Sequence, residues 1–260
     1  MEVVRQAGAV GAYIHGVDLA RPVDAALFAR LRAALLDHHV ICIRDQDLSS
    51  EQQLEFAARW GRIFVHPYVE PIEGYPGIME VYDPHPITTT WHSDTTHSKT
   101  PPRMSLLLAR RVPAYGGDTM FANQHLAFEE LSPALRRVLE GLRAVHYGTE
   151  LAQSEKGLTP QEVTAVHPVV RRHPDTGRKA LFVNGDYTCH FEGMTEEESR
   201  PLLGFLFSRA SRPEYTWRHH WRVGDLLLWD NASVQHAVVP DVAKGERSLH
   251  RVTIEGDVPV

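Results

Sequence analysis

Apolar residues recur along this chain with two periods, and the switches between them divide it into elements. From Asp24 to His38, Ala26, Leu27, Leu31, Ala34 and Leu35 fall at helical spacing, which predicts an amphipathic helix. Val40 to Arg44 follows as a buried strand. Ser49 or Ser50 then caps a second helix through Trp60, with Gln52 or Gln53 placed for a capping box, and Gly61 ends it. Residues 3 to 20 alternate loosely around Gly8, Gly11 and Gly16, as short strands and turns do. Ile78–Tyr82, Met104–Arg110 and Asp118–Ala122 read as strands, the last entered through a Gly116-Gly117 turn. Ser132-Pro133 opens a helix, Ser as cap and Pro at the first helical position, with Leu135, Val138, Leu139 and Leu142 on one face. His167–Arg172 and Lys179–Asn184 flank a Pro174-Asp175-Thr176-Gly177 turn, a hairpin signal. Thr195 caps an acidic-started helix running to about Ser211. Tyr215–Arg222, Leu226–Trp229, Ser233–Val239 and Ser248–Glu255 complete a β-rich C-terminal half.

Many short strands separated by turn residues, with helices mainly N-terminal or inserted, predict a mainly β fold, a jelly roll with flanking helices. No Gly-rich phosphate loop follows an early strand, which argues against a doubly wound sheet. Between Thr149 and Thr164 the apolar pattern lapses into Gln153, Ser154, Glu155, Lys156, Gly157 and Pro160, and a lid over residues 149–164 is expected there. At 260 residues the length suits one large domain, and a single domain over 1–260 is expected.

Composition narrows the function classes. The formal net charge is -6, and no basic run stands out, so a nucleic-acid partner is not expected. Nothing approaches the apolar length of a membrane span, and the N-terminus lacks the pattern of a signal peptide. The two cysteines, Cys42 and Cys189, make neither a disulfide framework nor a thiolate zinc site, which fits a reducing cytoplasm. Cys42 lies in an apolar run and reads as core. The adjacent pairs His38/His39 and His219/His220 point in different directions on regular elements and make poor joint ligands.

The chemistry gathers at the two ends of the chain. In Trp91-His92-Ser93-Asp94, His92 and Asp94 are two apart, so on an extended segment both side chains lie on one face and can converge on one metal ion. His236 sits on the strand Ser233–Val239, just after Trp229-Asp230-Asn231. Two imidazoles and one carboxylate are the facial donor set of non-haem Fe(II) oxygenases, which leaves positions open for a chelating cosubstrate and O₂. Arg247 and Arg251 are four apart on a strand and so share a face. Their planar forks suit carboxylates and sulfonates, and Thr119 could lend a hydroxyl to the same anion.

The order Trp-His-x-Asp, Gly-Gly-Asp-Thr (116–119), Trp-Asp-Asn, His236, then Arg247-x-x-x-Arg251 resembles the taurine dioxygenase family of Fe(II)/2-oxoglutarate-dependent enzymes. The likeness takes in Ala165–Val170, Ala180–Asn184 and the closing His250–Ile254, and extends over nearly the whole chain. It implies a double-stranded β-helix (jelly roll) core, iron held by His92, Asp94 and His236, and 2-oxoglutarate and O₂ as cosubstrates. Thr119 and Arg247 would hold the distal carboxylate of 2-oxoglutarate. Arg251 would face the anionic end of a small organic substrate, assisted by His66, with Thr88 and Tyr187 at the places of an Asn and a Phe in the taurine enzyme. Ala232 stands where the family often has Arg, and Asp241-Val242 where it often has Asp-Tyr. These departures leave the substrate open among sulfonates, sulfate esters and carboxylates, taurine included. Two other readings use the same residues: a zinc-dependent hydrolase, and a non-catalytic jelly-roll metal-binding module. A homo-oligomer is left open.

Overall fold

The computed structural model describes residues 1–66, 69–82, 89–149, 158–241 and 247–260. Val40–Ile43, Leu226–Asp230, Met104–Arg111 and Ser248–Ile254 lie side by side in that order at its centre. The first three are mostly apolar and buried on both faces, and the last carries Ser248, His250, Arg251 and Thr253 among its apolar residues. Glu2–Arg5 and Ala12–His15 extend this sheet beyond Val40–Ile43, and Ile63–Phe64 and Met79–Tyr82 both pair with Ser248–Ile254. All pairings in it are antiparallel except Ala12–His15 with Val40–Ile43.

One face of this sheet carries Ile41, Ile43, Leu106, Leu108, Leu226, Leu228, Val252 and Ile254, packed on Leu31 and Leu35 of the helix Ala25–His38 and Phe56 of the helix Ser50–Ala58. The second helix is capped as expected, with Ser49 and Gln52 forming a reciprocal box. The opposite face carries Cys42, Leu107, Leu227, Trp229 and Leu249. It closes on a second sheet, ordered Thr216–His219, Thr119–Asn123, Val234–Val238, which contributes Phe121 and Val234. Two facing, mainly antiparallel sheets make the jelly roll, with helices outside. Gly116 and Gly117, at φ 80° and 69°, take the left-handed turn that a side chain would resist and aim Thr119 into the second sheet.

Several elements differ from expectation. Gln124–Glu129 is a helix, and its Asn123 side chain caps it from the end of a strand. The segment 167–172 is not one strand. Thr164–Pro168 pairs with Arg143–Tyr147, and only Val170–Arg172 forms the hairpin with Lys179–Leu181. Val169 is the buried pivot, since it sits between two sheets and serves both. On the helix Pro133–Glu140 only Leu139 is buried, and Val138 faces solvent, because two turns are too short to bury a full stripe. Among the described residues no helix is long and apolar enough to cross a membrane. Of the expected lid, residues 150–157 lie outside the described set. Its C-terminal part is a 3₁₀ turn, Pro160–Val163, tied to Gly148 by a hydrogen bond from the Gly148 N–H to the Val163 carbonyl.

Candidate metal centre and active site

The segment Trp91–Asp94 is zipped onto the strand Val234–Val238. His92 and His236 exchange both backbone hydrogen bonds, at 3.0 and 2.8 Å, and the Ser93 hydroxyl donates to the Val234 carbonyl at 2.8 Å. Directly opposed residues on such a pair project to the same side, so the two imidazoles meet with ring centroids 4.2 Å apart. Asp94 comes third because the chain turns sharply behind it. Thr95 sits at φ 41°, a left-handed conformation that costs a β-branched residue roughly 1–3 kcal/mol. The Ser98 N–H to Thr95 carbonyl bond, at 2.9 Å, holds that turn.

The donor atoms of His92, Asp94 and His236 all lie within 4.8 Å of one another, and all three side chains are buried. Asp94 Oδ1 is 3.6 Å from His236 Nε2 and 3.9 Å from His92 Nε2, too long for hydrogen bonds. The His92 Nδ1–H donates to the Thr90 carbonyl at 2.8 Å, so in the neutral ring the Nε2 lone pair faces the site. Burial first, then the neighbouring His92, pushes His236 down to about 3, so this ring is neutral. Burial alone would raise the Asp94 carboxyl. Arg251, His236 and His92 outweigh it and hold that carboxyl below the usual range. Two imidazole nitrogens and one carboxylate oxygen thus converge, which is the donor set a divalent cation fits.

Arg251 stands directly behind the carboxylate. Its Nη2 is 2.6 Å from Asp94 Oδ2, and its side chain is 20% exposed, open enough for a ligand to reach. His66 is half-buried and carries a lowered pKa, from burial and then from the Arg251 charge. Tyr187 packs edge-on to His92, ring centroids 6.3 Å apart, and tilts against His97 at 5.2 Å. A cavity of about 390 Å³ opens alongside, lined among others by His66, Thr95, His97 and Gly256. Thr88 lies outside the described residues.

Thr119 and Arg247 belong to a neighbouring part of the same interior. Phe121 pairs in register with His236, and Thr119 is two positions along on the same face. Both Thr119 and Arg247 contact one indole: Trp221 donates from Nε1 to the Thr119 hydroxyl at 3.0 Å, and the Arg247 guanidinium is 5.8 Å from its ring centre. The shared direction of Arg247 and Arg251 does not follow from their spacing as expected. Arg247 precedes the strand Ser248–Ile254, and a register shift between Ser248 and Leu249 interrupts the alternation. The Trp221 and Asp94 contacts set the two directions instead.

Residues 3–253 match the family described as taurine catabolism dioxygenase TauD, TfdA family. The chain belongs to this family. An alpha-ketoglutarate-dependent sulfate ester dioxygenase of Pseudomonas putida is 34% identical over 275 residues, covering 100% of this chain and 91% of that protein. An alpha-ketoglutarate-dependent 2,4-dichlorophenoxyacetate dioxygenase of Cupriavidus pinatubonensis is 30% identical, with 95% of each chain covered. The crystal structure of a taurine dioxygenase from Burkholderia xenovorans superposes with a TM-score of 0.90 at 37% identity, covering 100% of this chain and 90% of that one.

Within this TauD-type framework, sequence reading missed four side chains that touch the site. Asn231 receives the Trp229 indole N–H at 2.9 Å and the Asp94 N–H at 3.4 Å on the same oxygen, which explains the Trp-Asp-Asn run. Trp221 joins Thr119 to Arg247. His97 lines the cavity. Ser105 hydrogen-bonds the Asp94 carboxylate. Asn231 lay in the Trp-Asp-Asn motif without a role, and Ser105 carried a local signal, a hydroxyl in an otherwise apolar strand.

Proposed function

We propose that this chain hydroxylates a small anionic organic substrate, with iron held by His92, Asp94 and His236. In the same reading Arg247 and Thr119 anchor 2-oxoglutarate, and Arg251 with His66, Tyr187 and Thr88 receives the substrate. The reaction class follows from the family: the chain is an Fe(II)- and 2-oxoglutarate-dependent dioxygenase that consumes O₂. The observation that carries the residue assignment is the divided carboxylate of Asp94, one oxygen facing two imidazole nitrogens and the other facing Arg251.

When bound, Fe(II) supplies O₂ activation and couples decarboxylation of 2-oxoglutarate, to succinate and CO₂, to insertion of oxygen at a substrate C–H. The protein's part is placement and charge. Two neutral imidazoles and one carboxylate leave a divalent cation with net positive charge, which favours the keto-acid as a partner. Arg247 is buried beside Trp221, and a guanidinium keeps its charge there, so it suits the far carboxylate of that acid. Arg251 fixes the substrate's anionic end, and the rest of the substrate extends along the cavity by His66 and His97. If the hydroxylated carbon bears a sulfate ester, a sulfonate or an aryloxy group, the new hydroxyl loses its proton as that bond breaks. The products are then a carbonyl compound and the released sulfate, sulfite or phenol.

A zinc hydrolase would use the same triad but leaves Thr119, Trp221 and Arg247 without a shared task. A metal-binding remnant would be expected to have lost a ligand or anchor, and each is in place. We place the working compartment in the cytoplasm, in keeping with two free cysteines. The acidic balance offers no attraction for nucleic acid. The test is succinate formation by Fe(II)-loaded protein across alkyl sulfates, alkanesulfonates, aryloxyalkanoates and amino acids. Substrate-dependent succinate with one anionic class is the expected result. Zinc-supported hydrolysis without 2-oxoglutarate consumption would overturn the reading.

A further inference from the structure

The strand Met104–Arg111 shows its interior face as Ser105, Leu107 and Ala109, one hydroxyl in an apolar row. Ser105 is fully buried, in register with Trp229 on one side and Thr253 on the other. Its hydroxyl donates to Asp94 Oδ2 at 2.9 Å and accepts from Arg251 Nη2 at 3.0 Å, while the same Nη2 reaches Asp94 Oδ2 at 2.6 Å. The three contacts close a triangle. Arg251 is steadied from outside it, by its Nε–H donating to the Thr253 hydroxyl at 3.2 Å and by the Trp229 ring, 5.7 Å from the guanidinium carbon.

The triangle decides which oxygen of Asp94 is available. Oδ2 holds two donors, so Oδ1 is the oxygen presented to His92 and His236. The two holders differ in kind. Arg251 is partly exposed and carries a charge that an anionic substrate competes for, whereas Ser105 is sealed and neutral and, among the described residues, gives its proton to Asp94.

We propose that Ser105 is a positioning residue that keeps Asp94 a one-oxygen metal ligand independently of Arg251. The carboxylate then holds its orientation when the guanidinium is shared with the substrate's anion. This rests on the assignment of His92, Asp94 and His236 as metal ligands and of Arg251 as substrate anchor. Partners behind a metal ligand typically change metal affinity about tenfold to a hundredfold when removed. Two independent holders predict losses that compound, whereas a Ser105 that acted only by orienting Arg251 would add nothing once the charge was gone.

The experiment is titration of the metal-free protein with Co(II), read by visible absorption, for wild type, Ser105→Ala, Arg251→Gln and the double variant. Melting of each metal-free protein is measured alongside. Ser105→Ala should bind Co(II) about tenfold or more weakly with little change in metal-free melting, and its absorption bands should shift as the carboxylate takes a second oxygen to the ion. The double variant should be weaker than Arg251→Gln by about the same factor. Ser105→Cys fills the site with a slightly larger group that is a weaker donor and should fall in between, which separates loss of the hydrogen bond from loss of packing. Co(II) affinity of Ser105→Ala within threefold of wild type, or a double variant no weaker than Arg251→Gln, would overturn the proposal. His236→Ala is the control for the underlying assignment. If it binds Co(II) like wild type, the metal site itself has been misplaced, a failure separate from that of Ser105.

Discussion

Among the described residues, two buried clusters offer three metal-binding donors within 4.8 Å: His92, Asp94 and His236, and Cys42, His219 and Asp225. Each carboxylate also has an arginine on it, Arg251 at 2.6 Å and Arg44 at 2.7 Å. Proximity therefore does not separate them, but the use of lone pairs does. Arg44 donates from Nη1 to both oxygens of Asp225, at 3.0 and 2.7 Å, and the Arg222 N–H takes Oδ2 as well at 2.9 Å. The Cys42 proton is held by burial and then by the Asp225 charge, which raise the thiol well above its ordinary value. All three donors there are fully buried. This second cluster is a closed ion pair with two neutral neighbours, packed beneath Tyr13, whose ring the Arg44 guanidinium covers at 3.9 Å. At Asp94 one oxygen stays uncommitted toward two imidazoles, and a partly exposed arginine stands at the edge. The His219 nitrogens also lack hydrogen-bond partners among the described residues, with Nε2 3.2 Å from Asp225 Oδ2. What separates the clusters is therefore the carboxylate and the way in: both oxygens of Asp225 are taken in a sealed interior, whereas Asp94 keeps one oxygen toward the imidazoles beside a partly exposed arginine.

The widest separation between the clusters should come from removing one histidine in each. His236→Ala is expected to abolish substrate-dependent succinate formation and stoichiometric Fe(II) binding, whereas His219→Ala retains both. Iron content with a 2-oxoglutarate consumption assay checks this, and loss of iron by His219→Ala would break the comparison. Next, Arg44→Ala leaves a buried Asp225 charge without its partner and should cost roughly 3–5 kcal/mol of stability with iron stoichiometry unchanged. Denaturant unfolding of the metal-free proteins measures it.

Within the open cluster the two arginines should divide by ligand. Arg247→Ala raises the 2-oxoglutarate requirement far more than the substrate requirement, and Arg251→Ala does the reverse. Each loses a charge-assisted contact of about 1.5–3 kcal/mol, roughly tenfold to a hundredfold in affinity. Equal effects on both ligands in steady-state kinetics would show the division to be wrong.

The smallest effect concerns acid. Burial lowers the His219 pKa from its ordinary value of 6.5, against an opposing pull from Asp225. Below about 6.5 the unfolded chain takes up a proton that the folded one refuses, so stability is complete above that pH and is lost as pH falls. One such group contributes at most about 1.4 kcal/mol per pH unit. His219→Gln should flatten the decline between pH 6.5 and 5 in unfolding experiments. An unchanged slope would show that His219 is not what couples this cluster to pH.

Strong local signals were legible from sequence: the Ser49/Gln52 box, the Thr195-capped helix, and the apolar runs Val40–Ile43 and Leu226–Trp229. Gln124–Glu129 escaped because its cap, Asn123, is the last residue of a strand, and its burial comes from packing against Lys179–Leu181 and the Glu196–Ala210 helix. The hairpin is three residues shorter on each strand than expected, because the chain before Val170 is claimed by another partner strand, Arg143–Tyr147, which local pattern does not reveal. Thr119 and Arg247 were expected to serve one anion, and the structure brings both against Trp221, a residue no motif picked out.

By itself the sequence determined the donor types and their order. His92 and Asp94 share a face of an extended segment, His236 stands on a later strand, and two arginines follow, because side-chain chemistry and the two-residue period of a strand are local properties. What it could not show is that His219, set aside on local grounds, gathers with Asp225 and Cys42 into a second buried donor cluster, or why that cluster closes on itself. That is decided where distant strands meet. Arg44 comes from 181 residues away to cover both oxygens of Asp225, while Ser105 and Arg251 take only one oxygen of Asp94 and leave the other facing the imidazoles. Which lone pair remains available is a property of tertiary packing, because hydrogen-bond partners separated by so much chain are fixed only when the sheets close.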